Sequence, residues 1–224
     1  MSDHIKEVFD ISGFTPIFTI TADQASGLTA AWSIWIYIMS DKPSREVRNL
    51  NALLDVAKAL GAEMQLDNLL PVIISKTTEV IDAERSSLFI YDEDTNEMWS
   101  KVAEGMDSKE IRFPVGVGIA GDVAKTLKTV NIPDAYKDDR FNPAFDKETN
   151  YRTKSILCMP MLNNEGALVG VVQVLNKKDG STFDEKDESL LEALSVQAGV
   201  AIQRARLLEA FVEKQRIQES LKLA

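Results

Sequence analysis

From Val47 onward the apolar residues Leu50, Leu53, Ala57, Leu60 and Met64 recur at alternating spacings of three and four, the seam of an amphipathic helix able to pair with another helix. Gly61 weakens this helix without ending it. A second helix is predicted after Asp67, a side chain suited to an N-cap, with Leu70, Ile73, Ile74, Thr77 and Ile81 on one face and Pro71 tolerated in the first turn. The pattern then changes. Short β-prone runs at 86–91, 98–103 and 110–115, separated by Asp, Asn, Gly and Ser, predict an antiparallel meander.

Helical spacing returns at 116–128, and 129–132 is a short extended piece. A polar connection follows at 133–151, carrying Asp134, Asp138, Asp139, Arg140 and Asn142. A loop this long in a compact domain usually has a function. The runs 155–161 and 168–175 predict two adjacent central strands, joined by the turn Asn163-Asn164-Glu165-Gly166. The last helix begins near Phe183-Asp184 and keeps the three-four alternation through Leu191, Leu194, Ala198, Ala201, Ala205, Leu208 and Val212. That spacing predicts left-handed helical pairing, with small residues allowing a close approach. Gln215 and Glu219 then take the seam positions, while Ile217 and Leu221 restart a stripe in a shifted frame. The length of the helix beyond the last strand favours dimerisation over a helix that only covers the sheet. Helices, then an antiparallel sheet, then a terminal helix make an α+β domain with the helices on one face.

Composition narrows the function. The chain has 224 residues, 45% hydrophobic and 27% charged, so one domain with extensions and a sizeable core is expected. Its formal charge of −10 repels nucleic acid and anionic membrane surfaces, so an anionic ligand must be held by local donors. The single cysteine, Cys158, lies in an apolar strand, and the single histidine, His4, is near the N-terminus. These counts leave no Ser/His/Asp triad, Cys/His dyad or metal cluster, and the lone cysteine favours a reducing, cytoplasmic setting. Cys158 is expected to be a small core residue. No signal peptide is read at the N-terminus. The apolar stretch 28–39 is shorter than the ~20 residues a membrane span needs. It is read as a packed or dimer-facing segment rather than an anchor.

Asn176-Lys177, Phe183 and Asp187-Glu188 stand as N-K-x5-F-x3-D-E at the end of the final strand. This resembles the NKFDE signature of cyclic-nucleotide-binding GAF domains, the regulatory modules of certain phosphodiesterases and cyanobacterial adenylate cyclases. The likeness extends over RSSLFIYD, GIAG, NIPDAY, RFNP, YRTKSILCMP and VVQVLNK, in the family's order. It implies a GAF domain at 46–206, an N-terminal extension at 1–45 and a C-terminal extension of the last helix at 207–224. It also implies a six-stranded antiparallel sheet, with the N- and C-terminal helices on one face and a ligand pocket under a helix and lid on the other. Lys177 and Asp187 would form an ion pair that pins the lid and strand. The first ~25 residues resemble the C-terminal end of a STAS domain, without its phosphorylatable serine loop.

Cyclic nucleotide contacts implied by the resemblance fall on Ser87, Ala103, Glu104, Ile119, Ala120, Asp146, Thr149, Thr153 and Gln173. Ser87 and Thr153 can donate to ring oxygens or phosphate, Ile119 and Ala120 offer backbone N–H groups, and Asp146 and Thr149 lie on the lid. Gly116, Gly118 and Gly121 spell G-x-G-x-x-G, but a meander rather than a βαβ unit precedes them. They suggest free N–H groups at a helix start that could hold a phosphate. Glu104 stands where cGMP-binding relatives tend to have Asp, and Gln173 replaces an acidic strand residue. The Gln173 amide both donates and accepts, which leans the ligand slightly towards cAMP over cGMP. No catalytic residue, metal or cofactor is expected, and the output is expected through a homodimer of helices 46–66 and 184–212 or a docked signalling protein. A ligand-free interaction module is the alternative, and a hydrolase resting on Glu104 and Asp146 is a remote third.

Overall fold

The computed structural model describes residues 45–100 and 111–222. The extension expected at its N-terminal end, its STAS-like fragment and the apolar stretch 28–39 lie outside those residues, as do Ala103 and Glu104. Two helices, α1 (Arg45–Ala62) and α2 (Leu66–Ile81), precede β1 (Ala83–Asp92), β2 (Glu97–Ser100) and β3 (Ile111–Pro114). There follow α3 (Gly118–Thr126), β4 (Val130–Ile132), a 3-10 turn (Ala135–Lys137) and α4 (Ala144–Thr149), then β5 (Ile156–Leu162), β6 (Leu168–Lys177) and α5 (Glu185–Lys222). The six strands form one antiparallel sheet in the order β3-β2-β1-β6-β5-β4. The long strands β1 and β6 occupy its centre, and β3 and the three-residue β4 its edges.

Side chains alternate between two apolar clusters, as a period of two requires. Leu88 and Ile90 of β1, Leu157, Met159 and Met161 of β5 and Val172 and Val174 of β6 meet α1, α2 and α5 on one face. Phe89, Ile156, Cys158 and Val171 face α3 and the connection after β4 on the other. The helices therefore sit where the alternation puts the longer apolar rows. A buried hydroxyl network, in which Ser86 donates to the Ile74 carbonyl and meets Thr78, ties β1 to α2. Gly199 lets α5 lie against the end of β5, because a Cβ there would stand 2.4 Å from the Leu162 carbonyl oxygen.

Three expectations need correction. Gln65, not Asp67, occupies the N-cap position of α2, and Asp67 is an acidic residue of the first turn that favours the positive end of the helix dipole. Pro71 consequently lies in the second turn, where its ring removes the N–H that would reach the Asp67 carbonyl. The connection 133–151 is not irregular throughout, since it contains the 3-10 turn and α4. The seam expected to face a partner is also spent within the chain: Leu191, Leu194, Ala198, Ala201 and Ala205 are all buried in the helix-side core. Only Leu208 and Val212 of that seam are exposed. In α1, likewise, Leu60 is buried and Leu53 packs against the core, whereas Leu50 is exposed, as is Met64 in the connection that follows.

Candidate functional site

The face of the sheet away from the long helices carries the candidate site. Ser87 of β1, Gln173 of β6 and Cys158 of β5 stand opposite one another across three strands. The row shares its face with Phe89, Val171 and Ile156, so its surroundings are apolar. Ser87 and Gln173 are half-buried, and neither side chain hydrogen bonds to another described residue. Both side chains are thus available to a ligand or to water. Cys158 is fully buried, and burial pushes its thiol well above the ordinary range, so it packs as a neutral group.

Above this floor lies α3. Its N-cap residue Val117 is extended and supplies no side-chain cap, while Ile119 and Ala120 in the first turn are buried. The chain reaches it by a tight turn in which the Gly116 N–H donates to the Gly121 carbonyl, and Gly116 and Gly118 both adopt positive φ. First-turn N–H groups and the positive end of the helix dipole are thus left without a side-chain acceptor. Arg140, in the connection after β4, bridges back to this helix. Its guanidinium donates to Asp122 at 2.6 Å and to both oxygens of Asp138 at 2.9 and 2.6 Å. That guanidinium holds the Asp138 carboxyl below the usual carboxylate range.

The connection itself is a lid folded around Asp146. The Asp146 carboxylate accepts the Thr153 N–H and hydroxyl, each at 2.7 Å, and the Tyr136 hydroxyl at 3.0 Å. Asp146 and Thr153, both expected to touch a ligand, are buried and hold each other. Thr149 donates its hydroxyl to the Phe145 carbonyl within α4. Arg152 stacks on Tyr136 at 3.5 Å and Arg85 on Tyr151 at 3.9 Å, which closes the base of the lid with cation–π contacts.

All five residues of the N-K-x5-F-x3-D-E pattern meet between the lid, the sheet and α5. Asn176, in a left-handed conformation with φ 51°, accepts the N–H groups of Lys154 and Ser155 and donates to the Arg152 carbonyl and to Glu84. Those donations, led by Asn176 and joined by the Tyr151 hydroxyl, hold the Glu84 carboxyl below its ordinary value. Lys177 donates to both Asp187 oxygens at 2.8 and 2.9 Å, with the two side chains 8% and 2% exposed. Asp184 and Asp187 cap each other's N–H at the start of α5. Phe183 is buried, and its carbonyl and the Glu188 carboxylate both accept from Asn131.

The GAF domain profile matches residues 65–202. The chain belongs to the GAF domain family. Part of a probable 3',5'-cyclic phosphodiesterase of Caenorhabditis elegans is 37% identical over 71% of this chain and 23% of that protein. Part of a dual 3',5'-cyclic-AMP and -GMP phosphodiesterase of Takifugu rubripes is 39% identical over 70% of this chain and 19% of that protein. The chain thus spans about a fifth of these curated relatives. The solved GAF domain of a Coxiella burnetii phosphoenolpyruvate-protein phosphotransferase has the same fold, with TM-score 0.65, 23% identity and coverage of 72% of this chain and 96% of that one.

This GAF domain brings together Ser87, Ile119, Ala120 and Gln173 as floor and roof, and Asp146 with Thr153 as a clamp. Thr149 is spent on its own helix. Sequence reasoning missed Asn131, Glu84, Tyr136 and Tyr151, polar groups whose partners are distant in sequence. Asn131 did leave a trace, as the one polar residue between Val130 and Ile132. Among the described residues no group of His, Cys, Asp and Glu is placed to hold a metal ion, and no helix is long and apolar enough to cross a membrane.

Proposed function

We propose that this GAF domain is a non-catalytic small-molecule sensor that binds a cyclic nucleotide between the sheet, α3 and the lid, and that lid closure is passed on through α5. The observation that carries this reading is the pair Ser87 and Gln173, polar and without hydrogen-bond partners among the described residues, in an apolar floor beneath the uncapped start of α3. Such a floor suits a flat base recognised at its edge, and the helix start suits a phosphate. Identity to parts of cyclic nucleotide phosphodiesterases supports the same ligand class. Gln173 can donate and accept, which favours cAMP slightly over cGMP. Asp146 and Thr153 act in this reading by shaping the lid, and Ala103 and Glu104 remain proposed contacts. The sensor would work in the cytosol, where Cys158 stays reduced.

Calorimetric titration with cAMP, cGMP and an uncharged nucleoside tests the proposal. Saturable binding of one cyclic nucleotide is expected, weakened about tenfold by Ser87→Ala or Gln173→Ala, the loss of one buried hydrogen bond. Absence of heat with both nucleotides would leave the interaction module. That second reading draws support from the exposed apolar side chains of α1 and α5.

A further inference from the structure

Strand β4 has three residues, pairs only with β5, and leads directly into the lid. Val130 and Ile132 turn their side chains into the cluster beneath the lid. Asn131, between them, turns the other way and spends both amide protons on the start of α5: one on the Phe183 carbonyl at 3.1 Å, the other on a Glu188 oxygen at 2.7 Å. Phe183 belongs to the opposite cluster, on the helix side of the sheet. One short edge strand therefore has a hold in each layer.

The lid is fastened at its far end as well, where Asn176 grips Arg152, Lys154 and Ser155, and the next residue, Lys177, grips Asp187. The two ends of the lid differ in strength. The far end runs into the seven-residue strand β5, paired on both sides, while the near end is held by three edge pairs, the Asn131 amide and the Ala135 N–H bond to the Lys154 carbonyl. A displacement of the lid will move the weaker end, and among the described residues Asn131 is the side chain of β4 that hydrogen bonds to the start of α5. We infer that Asn131 is the positioning residue through which lid movement reaches α5, with the Phe183 carbonyl and Glu188 as its receivers. This rests on the sensor reading, since that reading supplies the reason for the lid to move.

The test is hydrogen exchange by mass spectrometry on the full chain, free and with saturating cAMP or cGMP, following segments 133–151 and 183–191. In the free protein Asn131→Ala should speed exchange at 183–188 about tenfold with the melting temperature little changed, because a local anchor and not the core has been removed. With nucleotide, the variant should still protect 133–151 with affinity within about threefold of the parent, yet lose the nucleotide-linked protection of 183–191. Glu188→Gln keeps an acceptor for Asn131 and should retain that protection; Glu188→Ala should lose part of it. Undiminished protection of 183–191 in Asn131→Ala would overturn the inference while leaving the sensor intact. If neither nucleotide alters the parent protein, the sensor reading fails, and unchanged free-state exchange at 183–188 would then overturn the link itself. Should Asn131→Ala not fold, Glu188→Ala carries the same comparisons.

Discussion

Lys177 and Asp187 show how much a single buried pair can decide. Each is almost wholly removed from water, so the pair is favourable only because both Asp187 oxygens face the ammonium and one also accepts the Asp184 N–H. Lys177→Ala removes one charge and leaves the buried Asp187 carboxylate without its ammonium. Loss of about 3–5 kcal/mol in urea unfolding is expected, against well under 1 kcal/mol for an exposed pair such as Lys58–Asp55. A loss below about 1 kcal/mol would mean that Asp187 is rehydrated and that the pair does not anchor the end of β6 to α5. The same residues explain what could be read in advance. The partnership of Lys177 with Asp187 was legible through the family resemblance. The mutual grip of Asp146 and Thr153 was not, because a motif marks which residues matter without saying whether they face a ligand or each other.

The lid is the element most dependent on side-chain bonds. Arg140 hydrogen bonds it to α3 through Asp122 while bracing Asp138, and Ala135 and Phe141 add apolar contact with the same helix's cluster. Because Arg140 depresses the folded-state Asp138 value, the stabilisation is fully present above the ordinary value of 3.8 and is lost as pH falls through the depressed one. Glu84, held low by Asn176 and Tyr151, moves in the same direction and cancels between parent and variant. The melting difference between the parent and Arg140→Ala should therefore be constant near neutrality and shrink as the pH is taken below about 4. A difference that persists to about pH 3 would place the effect of Arg140 in packing rather than charge. Helix α4 escaped the periodicity argument because one short, polar, largely exposed helix leaves no apolar stripe to count. Strands β1, β5 and β6 were easy for the converse reason: apolar residues on both faces of a central strand leave few alternatives.

At the scale of the molecule, α5 carries apolar residues on two opposite sides, and spacing alone could not say which side the core would take. The row through Leu191, Leu194, Ala198, Ala201 and Ala205 is buried in the chain's own core. Val196, Val200, Leu207 and Phe211, about 180° away around the helix, are left 53%, 38%, 65% and 58% exposed. Beyond Arg206, which donates to the Tyr91 carbonyl, every described residue of α5 is exposed. A helical end with no core of its own is marginal in water, and a partner helix along it would add the packing it lacks. A second copy supplies the same row, in which Val196 recurs at Leu207 and Val200 at Phe211, an eleven-residue repeat that suits a slightly right-handed helical pairing. The homodimer is therefore expected along Val196, Val200, Leu207 and Phe211 rather than along the row already buried. Sedimentation equilibrium should show dimers for the parent and monomers for Leu207→Glu with Phe211→Glu. The melting transition of the domain should survive in that variant, since neither residue belongs to its core. Persistence of the dimer would move the interface to α1, where Val47, Leu50 and Leu54 are also exposed. A monomeric parent would remove the dimer from the mechanism, leaving α5 to signal by docking another protein.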